Sequence, residues 1–368
     1  MIYFIISIPV LLYVLIWSYF IIGATKKVIS NHNKDQNDLS ISIIVPFRNE
    51  KERIGPLLSS LDQLDSFACN LNIFFIDDHS EDKGLEQLML WKNKTNKKVE
   101  ILQLKELDEE GKKKALKKAI EQSKDEWIFT LDADSTISID FLQEFKKEMT
   151  NNKEAYLLPV LEMSNGFFLS VIESYMLSVI ALASAKNKKP LLANGTGLIF
   201  KRALFLKLDP YKENYHIASG DDIFLLEKIT REEPDMLMPI SNRKLIVYTD
   251  SPLTYKKMLN RSCRWVGKMS KSNLHLTRLV GLIVLICNLS IILTLIFQII
   301  DNDFKVLWVV IASKLIIDVL LFTLAIKYYG NRQLILITPL VFLLYPIHLV
   351  CVMFNLLISD KIWKGRKI

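Results

Sequence analysis

Hydrophobic and polar positions divide this chain into an apolar start, an alternating middle and an apolar end. Residues Met1 to Gly23 carry no charge and are long enough to cross a bilayer as a helix. Three more hydrophobic segments follow late in the chain, at 279–300, 304–327 and 334–358. The middle alternates between two periods. ISIIVPF (Ile41 to Phe47) is a short β-branched run, which predicts a buried strand. Glu52 to Leu64 reads as a helix, Leu71 to Asp78 as a second strand and Gly84 to Lys92 as a second helix. Lys98 to Leu104 then predicts a third strand, Lys112 to Ser123 a basic helix, and EWIFTLDAD (Glu126 to Asp134) a fourth strand. Such alternation predicts an α/β fold with a mainly parallel sheet and helices on both faces. Ligands of such sheets bind beyond the carboxyl ends of the strands. After Asp250 the pattern becomes basic and amphipathic. Leu253 to Leu276 carries Met258, Leu259, Trp265, Val266 and Met269 as its apolar positions, and such a helix can lie in a membrane interface.

These patterns give an expected organisation. An anchor covers 1–24, a linker 25–40, a soluble α/β domain 41–252, an interfacial helix region 253–277, three membrane segments 279–358 and a basic tail 359–368. The first segment lacks a basic flank before it and a small-residue cleavage site, so it reads as an anchor, not a signal peptide. Lys26 and Lys27 follow it at once. The preference of such charges for the cytoplasm puts the N-terminus outside and the central domain inside, at a bacterial-type plasma membrane. Four spans then leave the tail outside, against the preference of Lys361, Lys364, Arg366 and Lys367. A re-entrant segment would reconcile the two, and the last, with Pro339 and Pro346, is the candidate.

Composition agrees with a membrane protein. Hydrophobic residues make up 50% of the chain and the mean hydropathy is +0.22, an excess concentrated in the terminal segments. The net charge of +7 is crowded beside those segments, which favours an anionic membrane surface. Zinc spacing, a helix-turn-helix pattern and an aromatic RNA-binding signature are all missing, so nucleic acid is not the expected partner. Cys69, Cys263, Cys287 and Cys351 show no CxxC spacing, which suits a reducing compartment.

Chemistry concentrates where the predicted strands end. Asp132 and Asp134 lie two apart on an extended segment, so both aim one way, and two such carboxylates repel unless a cation lies between them. Mg²⁺ or Mn²⁺ is the oxygen-loving choice and also neutralises a diphosphate. Pro46, Phe47, Arg48, Asn49 and Glu50 follow the first strand, where polar groups can meet an anion or a nucleobase. Asp77 and Asp78 end the second and can accept hydrogen bonds from a base or a ribose. Lys112 opens the basic helix after Gly111, a good place for a diphosphate partner. Asn194-Gly195-Thr196-Gly197 lets backbone approach a ligand closely. Ser219-Gly220-Asp221-Asp222 puts two carboxylates at a helix start, where one could deprotonate a hydroxyl. Arg261, Arg264 and Trp265 pair guanidinium groups with an indole. Lys314 and Asp318, four apart in a hydrophobic segment, can pair on one helix face.

Taken in order, VPFRNE, IDDHS, GKKKAL, LDADS, NGTG, GDD and RSCRW resemble the membrane-bound family 2 glycosyltransferases with a GT-A fold. The resemblance covers about residues 40–268, and the flanking hydrophobic segments match as well. It implies a Rossmann-like GT-A domain and a nucleotide-sugar donor, with UDP the first choice. Asp78, with Asp77, would hold the uracil or ribose region, in a donor site that includes Pro46, Arg48, Asn49 and Glu50. Lys112 matches the lysine of a G-K-x-x-A-L element. Asp134 would bind the metal on the diphosphate, with Asp132 beside it near the sugar or ribose. Asp222 corresponds to the base of a T/G-E-D element whose glutamate is here the shorter Asp221. Arg264 and Trp265 match Q-x-x-R-W, whose glutamine is here Arg261, as in ceramide-glucosyltransferase-like enzymes. Gly195, Asp221 and Trp265 are expected at the acceptor. The expected activity is inverting transfer to a membrane lipid or lipid-linked acceptor. The alternatives are a processive polysaccharide synthase and a membrane protein that binds nucleotide-sugars without turnover; a transporter is a further, weaker one.

Overall fold

The computed structural model describes residues 2–26, 39–66, 69–107, 109–215, 217, 220–270, 272–301, 305–358, 362–363 and 366–367. Most of the expected linker, Ser219, and the tail residues Lys361 and Lys364 lie outside the described residues. An apolar helix, α1 (Ile2–Ala24), precedes the alternating part of the chain. There β1 (Leu39–Phe47), α2 (Ile54–Gln63), β2 (Cys69–Asp77), α3 (Gly84–Lys92), β3 (Lys98–Gln103), α4 (Lys112–Gln122) and β4 (Trp127–Thr130) follow in turn. Next come β5 (Ser135–Thr136), α5 (Phe141–Glu148), β6 (Ala155–Leu157), β7 (Val160–Glu162) and α6 (Phe168–Lys186). The domain continues with β8 (Leu198–Lys201), α7 (Arg202–Leu208), α8 (Asp221–Glu232), β9 (Leu237–Pro239) and β10 (Val247–Thr249). Four helices follow: α9 (Tyr255–Ser270), α10 (His275–Asp301), α11 (Lys305–Tyr329) and α12 (Thr338–Ile358).

A seven-stranded sheet runs β3-β2-β1-β4-β8-β6-β9. Only β8 runs antiparallel to its neighbours β4 and β6; the other pairs are parallel. Period-2 alternation feeds two cores. In β1, Ile41, Ile43, Val45 and Phe47 face one, and Ile44 the other. In β2, Ile73 and Phe75 take the first side, and Phe74 and Ile76 the second. Helix α2 covers the first face through Ile54, Leu57 and Leu61, at helical spacing. Helix α4 covers the second through Ala115, Leu116, Ala119 and Ile120. Both faces are therefore buried, as a parallel sheet requires. A smaller sheet, β5-β10-β7, closes over the end of β4.

The predicted fourth strand is shorter than expected. It ends at Thr130, and Ala133 and Asp134 form a turn. Asp132 and Asp134 are thus not strand neighbours, and extended-chain alternation does not set their directions.

A third core joins α1, α6 and α9 to α12. Among the described residues, five helices are long and apolar enough to cross a membrane, one more than the sequence reading counted. The addition is α6, whose apolar window is 78% buried inside the protein, against 22–44% for the other four. It packs against the sheet on one side and α1 and α11 on the other, so it joins the domain to the outer helices. Its Glu173 and serines broke the apolar pattern in the sequence. The segment expected to re-enter is one continuous 21-residue helix, α12, with Pro346 inside it.

Arg243, before β10, fastens the sheet domain to α11. Its Nε donates to the Tyr328 carbonyl at 3.0 Å and its Nη2 to that of Lys327 at 2.7 Å. These carbonyls close the last turn of α11 and have no partner within the helix. The side chain is exposed, so Arg243→Ala should lower the stability of the whole chain in detergent by only about 1 kcal/mol. Thermal unfolding measures it, and an unchanged Tm would mean that water replaces the cap.

Candidate active site

Three strand ends meet at the carboxyl edge of the large sheet. The segment after β1 supplies Pro46, Phe47, Arg48 and Glu50 to a polar cavity of about 190 Å³. Asp78, after β2, lines the same cavity and accepts the Gly111 amide at 2.9 Å. That bond aims the N-terminus of α4, and with it Lys112, at the cavity. Gly111 holds φ at +99°, a left-handed value that glycine adopts without strain. From the loop after β4 come Asp132 and Asp134.

The cations of this site are already shared among its carboxylates. Lys112 Nζ lies 2.7 Å from Asp132 Oδ1 and 3.0 Å from Asp221 Oδ2. Burial disfavours the charged amine, but the two carboxylates outweigh it and hold Lys112 above its ordinary pKa. Arg53 Nη1 binds Asp134 Oδ2 at 3.0 Å while its Nη2 reaches Glu50 at 2.6 Å. Thr249 donates to Asp134 Oδ1 at 3.2 Å. Lys268 Nζ meets Asp222 Oδ2 at 2.5 Å, and the Ile223 amide donates to Asp222 Oδ1 at 2.8 Å.

Loop 194–197 sets the position of Asp132. Thr196 Oγ1 accepts the Asp132 amide at 3.0 Å and bonds Ser135 Oγ at 2.6 Å. Thr130 Oγ1 ties the Gly195 carbonyl at 2.7 Å. Gly195 has no room for a side chain: a Cβ there would sit 2.7 Å from Asp221 Oδ2 and 3.0 Å from Lys112 Nζ. Gly195→Ala must therefore push the Lys112–Asp221 bridge apart. Both atoms are the far ends of flexible side chains and can yield, so the loss falls on the bridge and should cost about 1 kcal/mol of stability. A lower Tm checks this, and an unchanged Tm would mean that the two side chains re-form the bridge around the added methyl.

A second cavity, of about 630 Å³, opens from the first. The two share Arg53, Asp132, Asp134, Asn194, Asp222, Arg264, Trp265 and Lys268. Leu157, Leu158, Val160, Leu177, Ala181 and Leu192 give the larger cavity apolar walls. Helix α9 forms the junction. Its Arg261, Arg264, Trp265 and Lys268 are spaced i, i+3, i+4 and i+7, on one face. Burial pushes Arg264 below its ordinary pKa, while Asp132, Asp134, Asp222 and Asp221 pull it back. One guanidinium thus feels all four carboxylates.

The charge distribution suits a divalent cation. Burial, with Asp132, Glu50 and Asp250 nearby, pushes Asp134 up to about 6 against the pull of Arg53. Its donor set is hard oxygen, the type that Mg²⁺ or Mn²⁺ prefers. Among the described residues, no three His, Cys, Asp or Glu side chains gather into a metal cage. Asp134 and Asp132 are the residues that would hold such an ion.

A sequence profile described as glycosyl transferase family 2 matches residues 42–207. A second, glycosyl transferase family group 2, matches residues 127–358, more than half of the chain. The chain is a family 2 glycosyltransferase. Among curated proteins it is 24% identical over 189 residues to the poly(ribitol-phosphate) beta-N-acetylglucosaminyltransferase TarS of Staphylococcus aureus (strain Mu50 / ATCC 700699). That match covers 51% of this chain and 32% of the relative, so the shared region spans about a third of TarS. TarS of strain MW2 is 28% identical over 128 residues, 35% of this chain and 22% of that protein. Among solved structures, the mannosyltransferase PcManGT from Pyrobaculum calidifontis, in complex with GDP-Man and Mn²⁺, aligns with a TM-score of 0.61. The alignment covers 97% of this chain and 98% of that one at 14% identity, a likeness of fold that includes the helices around the GT-A domain.

Twelve of the fourteen site residues expected from the sequence line this glycosyltransferase's cavities. Asn49 and Asp77 do not. Asn49 turns its Oδ1 to the Glu81 amide at 2.8 Å, and Asp77 accepts the Ser80 amide at 3.0 Å. Both stitch loops that hold Glu50 and Asp78. Gly195 and Asp221, expected at the acceptor, line only the smaller cavity, because Asp221 turns toward Lys112. Arg53, Lys268 and Thr249 were missed. Lys268 could have been found, since it lies one helical turn after Arg264 on the same face. Arg53, three residues after Glu50, gave a weaker signal. Thr249 gave none.

Proposed function

We propose that this glycosyltransferase moves one sugar from a nucleoside-diphosphate sugar to a hydroxyl of a membrane lipid or lipid-linked acceptor, with inversion, at the cytoplasmic face. The observation that carries this reading is the meeting of a small polar cavity and a large, mainly apolar one at Asp132, Asp134, Asp222, Arg264 and Trp265. A nucleotide-sugar suits the first, with Asp78 beside its base or ribose and Lys112 beside its phosphates. An acceptor with an apolar body suits the second. Four apolar helices with exposed faces, and Lys26 directly after α1, support a membrane orientation that leaves the sheet domain in the cytoplasm.

Asp134, with Asp132, would hold Mn²⁺ or Mg²⁺, which when bound offsets charge on the departing diphosphate. Asp222 takes the proton from the acceptor hydroxyl as its oxygen bonds to the anomeric carbon. The bond from that carbon to the diphosphate oxygen breaks on the opposite side, and the nucleoside diphosphate leaves. Arg264 and Lys112 meet the charge that develops on it, and the cavity walls hold the reactants in line. Lys268 orients Asp222 toward the junction.

The test is a screen of UDP- and GDP-sugars with purified protein, Mn²⁺ and a membrane lipid extract, read by mass spectrometry. One sugar mass added to a lipid is the expected product. A ladder of polymer lengths would replace this reading with a polysaccharide synthase, and absence of turnover with every donor would remove the enzymatic reading.

A further inference from the structure

The floor of the larger cavity carries polar groups that the transfer chemistry does not use. Glu162 ends β7, Glu173 lies on α6, Arg261 on α9, and Tyr345 and His348 on α12, and all five line the cavity. Arg261 pairs with both glutamates, reaching Glu173 Oε2 at 3.0 Å. Tyr345 donates to Glu173 Oε1 at 3.2 Å. Ser170 and Ser251 donate to Glu162 Oε2 at 2.5 and 2.8 Å. His348 spans Tyr255 at 3.3 Å and Ser262 at 3.2 Å. The Arg261 guanidinium also lies over the Trp265 ring, 4.4 Å from its centroid. Its buried Nε–H has no hydrogen-bond acceptor among the described residues.

We infer that this floor is a subsite for an uncharged, hydroxyl-rich headgroup of the acceptor. The inference rests on the lipid-glycosylation reading above and narrows it. A phosphate needs unshared cationic donors, but the one guanidinium on the floor is divided between two carboxylates. Farther up the wall, Lys268 is held by Asp222, Arg264 faces the four aspartates at the junction, and Lys257, which also lines the cavity, is exposed to solvent. Carboxylates accept hydrogen bonds only, which suits the hydroxyls of a polyol or sugar. The free Nε–H suits an ether, ester or hydroxyl oxygen. Trp265, at the junction, offers a flat surface for a sugar ring or glycerol backbone. The walls of Leu157, Val160, Leu177 and Leu192 then follow the apolar chain, and α12 adds Leu349 and Val352. The reacting hydroxyl would reach Asp222 while its neighbours are read by Glu173 and Arg261.

The experiment uses the full chain in phosphatidylcholine vesicles containing diacylglycerol, a monoglycosyl-diacylglycerol, polyprenyl phosphate or phosphatidylglycerol, each with the donor that turns over. Transfer to the monoglycosyl-diacylglycerol is the expected result. Transfer to diacylglycerol alone, which offers a single hydroxyl, overturns the headgroup assignment. Glu173→Gln and the milder Tyr345→Phe should each raise the KM of that lipid about tenfold and move the donor KM less than about twofold. Transfer only to polyprenyl phosphate or phosphatidylglycerol overturns the headgroup assignment and leaves lipid glycosylation standing. An acceptor KM unmoved in both variants also overturns the assignment. Donor hydrolysis with no transfer to any of the four lipids overturns both readings.

Discussion

Asp222→Asn is expected to cut sugar transfer by a factor of about 10²–10⁴ while donor affinity stays within about twofold. The asparagine keeps the shape of the side chain, and its oxygen can still accept the Ile223 amide that now bonds Asp222 Oδ1. What disappears is the carboxylate that faces Lys268 and can take up the acceptor proton. Asp222 is buried in the first turn of α8 and lines both cavities, so a group at this point faces the contents of both. Asp221 is poorly placed to replace it, since its oxygen is engaged by Lys112 on the donor side. Initial rates with saturating acceptor, paired with a calorimetric titration of donor, separate the two effects. Transfer at the wild-type rate would place the base elsewhere.

Asp134→Asn is expected to lower transfer by about 10³-fold or more, since charge stabilisation by a bound metal is worth several kcal/mol. The fold should survive. The asparagine oxygen can keep the Thr249 hydrogen bond, and the backbone carbonyl keeps the Asp250 amide at 3.0 Å. The carboxylate that burial and its acidic neighbours push up to about 6 is replaced by a neutral group, so the demand for a cation falls. Besides activity, the readout is Mn²⁺ binding in the presence of a nucleoside diphosphate, followed by electron paramagnetic resonance. Unchanged Mn²⁺ affinity would move the metal away from Asp134.

The contrast between these aspartates and their surroundings shows how far the sequence could be read. The apolar runs before Phe47, Asp78 and Thr130 are local signals, and each yielded a strand of the large sheet. Helix α4 also begins at Lys112 as its basic, amphipathic pattern suggested. The direction of Asp132 and Asp134 was another matter. Reading the strand through Asp134 made them a pair pointing one way, whereas a turn sends one to Lys112 and the other to Arg53. Helix α6 was missed for a related reason. Its glutamate and serines look like surface in a linear pattern, but they meet Arg261, Tyr345 and the edge of β7 inside the protein.

The sequence by itself determined the apolar segments, the alternating strands and helices, and the ordered set of acidic and basic residues at the strand ends. Hydrophobic period and segment length carry these, and both are set by residues a few positions apart. The tertiary structure alone decided which carboxylate meets which cation, that Asp221 belongs with Lys112 and Asp222 with Lys268, and that α6 is enclosed. It also decided that the polar cavity opens into a larger apolar one. These partners lie tens to hundreds of residues apart, and a side chain's direction depends on turns and packing that no local period encodes.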